Sequence, residues 1–174
     1  SADWRGIAFA LPGAVRFGTP TVVHAVEACD AAERVDYETL RPLTPDEIFR
    51  AVAAVHRRAK GSYAVIALIA GVGLLAFRDP FGIRPLSISQ GLGADGAQEV
   101  IVASETVAIE GTGHRVARDV APGEAVFVDL DGRVHARQCA DAPKHYPCMF
   151  EFVYLARPDS VMDGISVYQA RLNM

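Results

Sequence analysis

Residues 62–86 read SYAVIALIAGVGLLAFRDPFGIRPL, and this stretch decides the fold. Its two apolar runs, residues 62–70 and 73–77, flank a Gly-Val-Gly turn and predict a pair of strands. Antiparallel strands that are apolar on both sides need a packed layer on each face. Helical patterns precede these strands and further strands follow them. We therefore expect a layered α/β (α+β) sandwich with helices outside and two sheets inside, in which Ala64, Ile66, Leu68 and Ile69 are buried.

Length and composition limit the class of protein. The chain has 174 residues, of which 51% are apolar and 22% charged, as in a single globular domain. A net charge of −4 leaves no basic surface for nucleic acid. The longest apolar stretch, residues 64–77, contains two glycines and is too short to span a bilayer, so no membrane association is expected. Three cysteines, at positions 29, 139 and 148, indicate a reducing, cytoplasmic environment rather than a disulfide framework.

Capping signals predict the helices. Residues 1–18 are expected to be irregular, and Thr19-Pro20 predicts the start of a helix that ends near residue 34. The clearest helix has Thr44 as its N-cap, Pro45 at the first position, Glu47 completing a capping box and Gly61 as the stop. Ser104 is expected to cap a short helix over residues 105–110 that ends at Gly111.

The remaining periodic segments predict strands. Asp131-Gly132 separates two of them and is a strong signal for a tight antiparallel hairpin. The expected strands after the opening pair cover residues 86–89, 99–103, 124–130, 133–138 and 150–155.

The loop after the second strand carries an unusual concentration of charge, proline and glycine. Arg78, Asp79, Gly82 and Arg84 fall within seven residues, which is poor strand material. A fixed loop on a rigid scaffold often serves recognition, so the charged side chains are candidate substrate ligands. The alternative is that they pair internally and fix the loop, with Gly82 supplying a backbone geometry that other residues resist.

Several separate motifs resemble one family. RDPFGIRPL and ASETVA are similar to the glutaminase domain of class II glutamine amidotransferases, and the later runs are similar to its glutamine phosphoribosylpyrophosphate (PRPP) amidotransferase branch rather than to its asparagine synthetases. The resemblance covers residues 44–174. Its motifs are RDPFGIRPL (78–86), ASETVA (103–108), RDVAPGE (118–124), RQCAD (137–141), CMFEFVYLARPDS (148–160) and SVYQAR (166–171).

The resemblance implies a fold and a reaction. The fold would be the four-layer αββα sandwich of N-terminal-nucleophile hydrolases, here truncated. In this family an N-terminal cysteine attacks the side-chain amide of glutamine and releases ammonia. The ammonia displaces pyrophosphate from PRPP in a second domain and gives 5-phosphoribosylamine, the first step of de novo purine synthesis. Glutamine and PRPP would be the ligands of a full-length enzyme, and a homo-oligomer its assembly. Mg²⁺ would be its cofactor, joined by a 4Fe–4S cluster in the cluster-containing members of the family, and this chain by itself would hold no cofactor.

Departures from the family pattern affect the catalytic residues. An N-terminal nucleophile uses its own α-amino group as the base, whereas this chain starts with Ser1. Pro12 stands where the family places the asparagine of its oxyanion hole, and proline has no N–H to donate. Thr19-Pro20-Thr21 replaces a substrate-binding aspartate. No catalytic residue is therefore assigned, and the chain alone is expected to lack glutaminase activity. The alternative is a non-catalytic sandwich module with a binding or regulatory role.

Three further residues receive candidate roles from the resemblance. Cys148 occupies the position of one of four iron–sulfur ligands, which requires three more thiolates. Arg157 and Asp159 follow a predicted buried strand and are expected either to shape the junction with a transferase domain or to stabilise their own turn. The expected division is a poorly matching remnant over residues 1–43, the sandwich core over 44–160, and over 161–174 the start of a connection to an absent transferase domain.

Overall fold

The computed structural model describes residues 8–9, 43–69, 71–92 and 98–174. The helix predicted for residues 19–34 lies outside this part. Within these ranges, three α-helices, one π-helix and ten strands form. Their bounds are β1 (Ala8–Phe9), α1 (Pro45–Arg58), β2 (Ala64–Ile69), β3 (Gly73–Arg78), β4 (Ser87–Leu92), β5 (Gln98–Ala103), α2 (Thr106–Glu110), β6 (Val116–Asp119), β7 (Glu124–Asp129), β8 (Val134–Gln138), the π-helix (Glu151–Leu155), β9 (Val161–Met162), β10 (Ile165–Ser166) and α3 (Val167–Leu172).

The eight strands before the π-helix form two antiparallel sheets. The larger has the order β1-β2-β3-β7-β8 and the smaller the order β5-β4-β6. The predicted hairpin at Asp131-Gly132 is confirmed, since Val128 pairs with Val134 across it and Gly132 donates its N–H to the Asp129 carbonyl. Within residues 43–174, as far as they are described, the chain passes between the sheets twice, from β3 to β4 and from β6 to β7.

Helix α1 covers one face of the larger sheet. Its capping box is present as predicted, because Thr44 and Glu47 exchange side-chain hydrogen bonds with each other's backbone N–H groups. Its apolar stripe packs against the alternate residues of β2, β3 and β7 that point to the same side. The buried members of this cluster include Ile48, Phe49, Val52, Val65, Ala67, Ile69, Leu75, Phe77, Ala125 and Phe127.

The other face of the larger sheet packs against the smaller sheet. Ala76 and Val126 meet Leu86, Ile88 and Val120 in a second buried cluster. Helix α2 contacts all three strands of the smaller sheet and fully buries Ile109. The order of layers is therefore helix, sheet, sheet, helix, and the predicted αββα sandwich is confirmed. In the described residues, no helix is both long enough and apolar enough to cross a membrane.

Burial along β2 differs from the prediction. Ile69 is buried as expected, but Ala64 and Ile66 are only partly covered, and Leu68 is 62% exposed. Leu68 lies on the same face of the sheet as Ala64 and Ile66. In the part of the chain that the structure describes, the smaller sheet has three strands, and the exposure of Leu68 shows that this end of β2 is not covered. The prediction that Leu68 is inaccessible was therefore wrong.

The predicted strand over residues 150–155 was also wrong, because this segment is a π-helix. Phe152 is buried there together with Ala156, Met162 and Val167, in a third apolar cluster formed with β9, β10 and α3. Ser104 does not cap α2, since the helix begins one residue later and Glu105 is its N-cap. The short strand β6 was not predicted, because its four residues, VARD, carry little apolar pattern.

Candidate functional site: the loop after β3 and the carboxyl-terminal segment

Asp79 organises the loop that follows β3. Its carboxylate is fully buried and accepts four backbone N–H groups. Oδ1 accepts from Phe81 at 2.9 Å and from Ile83 at 3.1 Å. Oδ2 accepts from Arg84 at 3.1 Å and from Tyr63 at 3.4 Å. With all these acceptor positions taken by the backbone, Asp79 fixes the loop and has no free oxygen to offer a ligand.

Gly82 sits where only glycine fits. Its φ of +59° lies in the left-handed region that side chains with a Cβ disfavour. A Cβ at this position would lie 2.7 Å from Pro122 Cγ and 3.1 Å from His145 Cδ2. Both the backbone conformation and the lack of space therefore require glycine.

The guanidinium of Arg78 uses all five of its N–H donors. The side chain is 1% exposed. Nε donates to the Arg84 carbonyl at 2.6 Å, Nη1 to the Val120 carbonyl at 2.9 Å and Nη2 to the Gly82 carbonyl at 2.8 Å. The remaining two donors bind the carboxylate of Asp163 at 2.7 and 2.8 Å. One buried cation thus joins both connections between the sheets to a turn 85 residues further along the chain.

Asp163 reaches Arg78 from the turn between β9 and β10. It is the one described non-glycine residue with a positive φ, at 49°. His145 Nε2 lies 3.0 Å from its Oδ2 atom. Burial raises the pKa of Asp163, but the hydrogen bonds and charge of Arg78, with a smaller contribution from His145, outweigh it and leave the pKa lowered.

A second ion pair joins the same two segments. Arg84 binds the carboxylate of Glu151 at the start of the π-helix, where the Glu151 side chain is 7% exposed. Burial raises the pKa of Glu151; the positive charge of Arg84 opposes this shift, and the negative charge of Glu105 adds to it. Both arginines of the loop therefore bind carboxylates from the carboxyl-terminal segment.

Helix α2 holds the turn that follows the π-helix. Glu105 Oε2 accepts the Arg157 backbone N–H at 2.8 Å and the Ser160 hydroxyl at 2.7 Å. Thr106 Oγ1 accepts the Val161 N–H at 2.9 Å. The Arg157 side chain is exposed, and its two hydrogen bonds to Asp159, at 3.0 and 2.8 Å, lower the pKa of that carboxyl.

The π-helix is stabilised by a cation from α3. Arg171 donates to the Phe152 carbonyl at 2.6 Å and to the Ala156 carbonyl at 2.7 Å. π-Helical turns are rare in proteins, and those that occur often lie at functional sites. The outer side of this turn forms what we call the aromatic face, whose members are between 43% and 64% exposed: Met149, Phe150, Val153, Tyr154 and Leu155.

His56, in its neutral form, helps to fix the loop after β3. His56 Nε2 lies 3.1 Å from the Gly123 carbonyl, which can only accept, so Nδ1 accepts the Tyr63 hydroxyl at 2.7 Å. Burial lowers the pKa of His56 despite the opposing effects of the Gly123 carbonyl and Asp79. This pair fixes Tyr63, whose backbone in turn binds Asp79.

The geometry does not form a substrate pocket between these segments. The cleft bordered by Arg78, Cys148, Glu151 and Asp163 has no volume for a water-sized molecule. Among the residues that the structure describes, no group of three or more histidine, cysteine or acidic side chains could hold a metal ion.

The two described cysteines do not make a cluster site. Cys148 donates its backbone N–H to the Ile83 carbonyl, and Cys139 is buried in the first apolar cluster, where burial raises the pKa of its thiol to about 11. Both are free thiols. A 4Fe–4S cluster needs four thiolates, so the described residues do not fit such a group by themselves.

The structure brings together residues that the sequence analysis treated separately. The loop motif and the motif at 148–160 meet through two ion pairs. Sequence reasoning missed the partners Asp163, Glu151, Glu105 and His145. Asp163-Gly164 is a hairpin signal that could have located the first partner. No local pattern connects Glu105 with Ser160, which lies 55 residues away.

Comparison with known proteins finds relatives that share one description. The chain is 54% identical over 131 residues to an amidophosphoribosyltransferase of Pseudomonas aeruginosa and 52% identical over 133 residues to that of Escherichia coli. These matches cover 75% and 76% of this chain. The chain spans about a quarter of the length of these relatives, since each match covers 26% of the relative. No protein-family model matches the chain.

Solved structures show the same fold. A structure of the allosteric regulatory enzyme of purine biosynthesis has a TM-score of 0.66 and 28% identity, covering 92% of this chain and 31% of that one. The glutamine PRPP amidotransferase from B. subtilis, complexed with ADP and GMP, has a TM-score of 0.62 and 25% identity, covering 99% of this chain and 38% of that one. It corresponds to about one quarter of the length of the relatives that it matches. The chain therefore belongs to the amidophosphoribosyltransferase family.

Proposed function

We propose that the chain supplies part of the glutaminase side of an amidophosphoribosyltransferase. In this reaction glutamine is hydrolysed and the ammonia displaces pyrophosphate from PRPP, giving 5-phosphoribosylamine at the start of purine synthesis. The observation that carries the proposal is the 54% identity over 131 residues with an amidophosphoribosyltransferase. The shared layered fold supports it independently.

Within this function the loop has a structural role. We assign Arg78, Asp79, Gly82 and Arg84 to holding the two sheets and the carboxyl-terminal segment together, not to binding substrate. In support, Arg78 has no N–H donor left, and each of the four backbone bonds to Asp79 lies within the loop or beside it. None of these residues is assigned a catalytic step.

The aromatic face is the proposed junction with the transferase part of the enzyme. Five neighbouring apolar side chains are exposed there, beside the Arg157–Asp159 pair. Exposed contiguous apolar patches mark interaction sites. Ammonia must remain unprotonated to act as a nucleophile, so its route has to exclude water, and an apolar junction meets this requirement.

The remaining parts of the proposal lie outside this chain. The glutaminase nucleophile, PRPP and its Mg²⁺ are assigned to other regions of the enzyme, and Cys148 would contribute one ligand to any cluster. We expect the 174-residue chain, tested as it stands, to release no glutamate from glutamine. The cytoplasm as location and a homo-oligomeric enzyme complete the proposal.

Genetic complementation tests the function. The matched region of the E. coli enzyme is replaced by residues 44–174, and the chimera is expressed in a strain that lacks its own amidophosphoribosyltransferase. We expect growth without added purines, because the chimera retains every residue outside the matched region. A chimera with Gly82→Val, which cannot close the loop, is the control and should not support growth. Soluble chimera without growth would contradict the proposal and favour a non-catalytic module.

A further inference from the structure

The carboxyl-terminal segment has an apolar core of its own. Phe152, Ala156, Met162 and Val167 pack with one another, apart from the two clusters that line the sheets. The segment also satisfies many of its own backbone groups. Arg171 binds two carbonyls of the π-helical turn, and the Val167 N–H binds the Ser160 carbonyl. Residues 148–172, which we call the carboxyl-terminal unit, are therefore internally bonded.

Polar contacts join the unit to the sandwich, whereas its apolar cluster is separate from the two apolar clusters of the sheets. They include the ion pairs Arg78–Asp163 and Arg84–Glu151, and the hydrogen bonds of Glu105 and Thr106 to residues 157–161. A buried ion pair gives little net stability, because the loss of hydration offsets much of the attraction. Apolar burial is what makes neighbouring elements unfold together. The attachment is thus weaker than the cohesion within either part.

We infer that the carboxyl-terminal unit opens from the sandwich as a body, before the sandwich unfolds, and that the Arg78–Asp163 and Arg84–Glu151 pairs control this opening. The unit carries the aromatic face, so opening moves that face relative to the two sheets. Such an opening is a motion of the chain itself and goes beyond the proposed function. The opening does not depend on any enzymatic activity.

Native-state hydrogen exchange of the 174-residue chain tests the inference without any substitution. Amide exchange is followed by mass spectrometry at increasing urea concentrations below the unfolding transition. We expect peptides from residues 151–172 to exchange together, at least about tenfold faster than peptides from β2, β3 and β7. A single common opening for both sets of peptides would overturn the inference.

Substitution of Asp163 tests the role of the ion pair. Asp163→Asn leaves the Arg78 cation buried without its counter-charge, so exchange within residues 151–172 should accelerate by at least about tenfold. Exchange in strands β2, β3 and β7 should accelerate by no more than the same factor, because the pair is lost in global unfolding as well as in opening of the unit. Asp159→Asn is the matched control, because it removes the same charge from an exposed arginine pair, and it should leave both regions unchanged.

The outcomes of this comparison are distinct. Acceleration within residues 151–172 with Asp163→Asn supports the inference, provided that Leu75→Ala accelerates exchange in the sheets without accelerating it in the unit, since Leu75 stays packed when only the unit opens. No acceleration within residues 151–172 with Asp163→Asn, or equal acceleration of the unit and the sheets with Leu75→Ala, would overturn it. Should Asp163→Asn fail to fold, Glu151→Gln is measured in the same way, since it weakens the second pair while keeping the shape of the side chain.

Discussion

Replacing Arg78 by methionine should destabilise the fold far more than the same change at an exposed arginine. The substitution keeps much of the apolar stem but removes five hydrogen bonds from a side chain that is 1% exposed. It leaves the Asp163 carboxylate buried beside His145 alone. Removing one partner of a buried ion pair costs roughly 3–5 kcal/mol. Water reaching some of the freed carbonyls offsets part of their loss, so we expect about 4 kcal/mol.

Urea denaturation followed by circular dichroism measures this difference. Arg118→Met is the matched control, because Arg118 forms an equally short bidentate pair with Glu124, at 2.8 and 2.7 Å, but its side chain is 44% exposed. Exposed pairs contribute about 1 kcal/mol or less. Equal losses of unfolding free energy in the two variants would refute the assignment of Arg78 as the buried centre of the loop.

Three further outcomes follow from the geometry. Gly82→Ala should destabilise by about 1–3 kcal/mol, since it places a Cβ at φ +59° and 2.7 Å from Pro122; a neutral effect in the same urea assay would contradict the loop geometry. The pKa of Asp163 is lowered below its ordinary 3.8, so its contribution is present above about pH 4 and is lost as the pH falls further. The unfolding free energy of the unmodified chain should therefore fall more steeply in acid than that of the Asp163→Asn variant. Parallel pH profiles of the two proteins would contradict a stabilising Arg78–Asp163 pair. Leu75→Ala, in the first cluster, should cost about 2–5 kcal/mol, whereas Leu68→Ala should cost about 0.5 kcal/mol or less; similar losses would mean that Leu68 is covered in solution.

Local signals predicted the elements whose stability is local. The capping box of Thr44 and Glu47 fixed the start of α1, and Asp131-Gly132 identified the β7–β8 hairpin. Both depend on groups only a few residues apart. The layered architecture followed from apolar strands that need cover on two sides, and the structure has that arrangement.

The π-helix could not be predicted from its sequence. FEFVYL is rich in aromatic and β-branched residues, which favour strands. Its helical turn depends on Arg171, which binds the Phe152 and Ala156 carbonyls from a later helix, and on Glu151, which binds Arg84. These are tertiary contacts that override the local preference. The prediction that Leu68 is buried failed for a related reason, because the exposure of Leu68 depends on how far a second sheet extends.

The candidate site was predicted in part. The concentration of charge at Arg78, Asp79 and Arg84 drew attention to the loop, and both readings of it were open. Asp79 proved to bind backbone groups within a few residues, which is a local pattern. The two arginines bind carboxylates more than 60 residues away, and single-sequence patterns carry no information about such pairs.

The most direct test of the proposed function is the ratio of two rates in the purified chimera that carries residues 44–174. Formation of 5-phosphoribosylamine from PRPP is measured once with glutamine and once with ammonium salt as the nitrogen source. If the segment acts on the glutaminase side, glutamine should support the reaction at a rate comparable to that with ammonia. A chimera that uses ammonia but not glutamine would contradict this account.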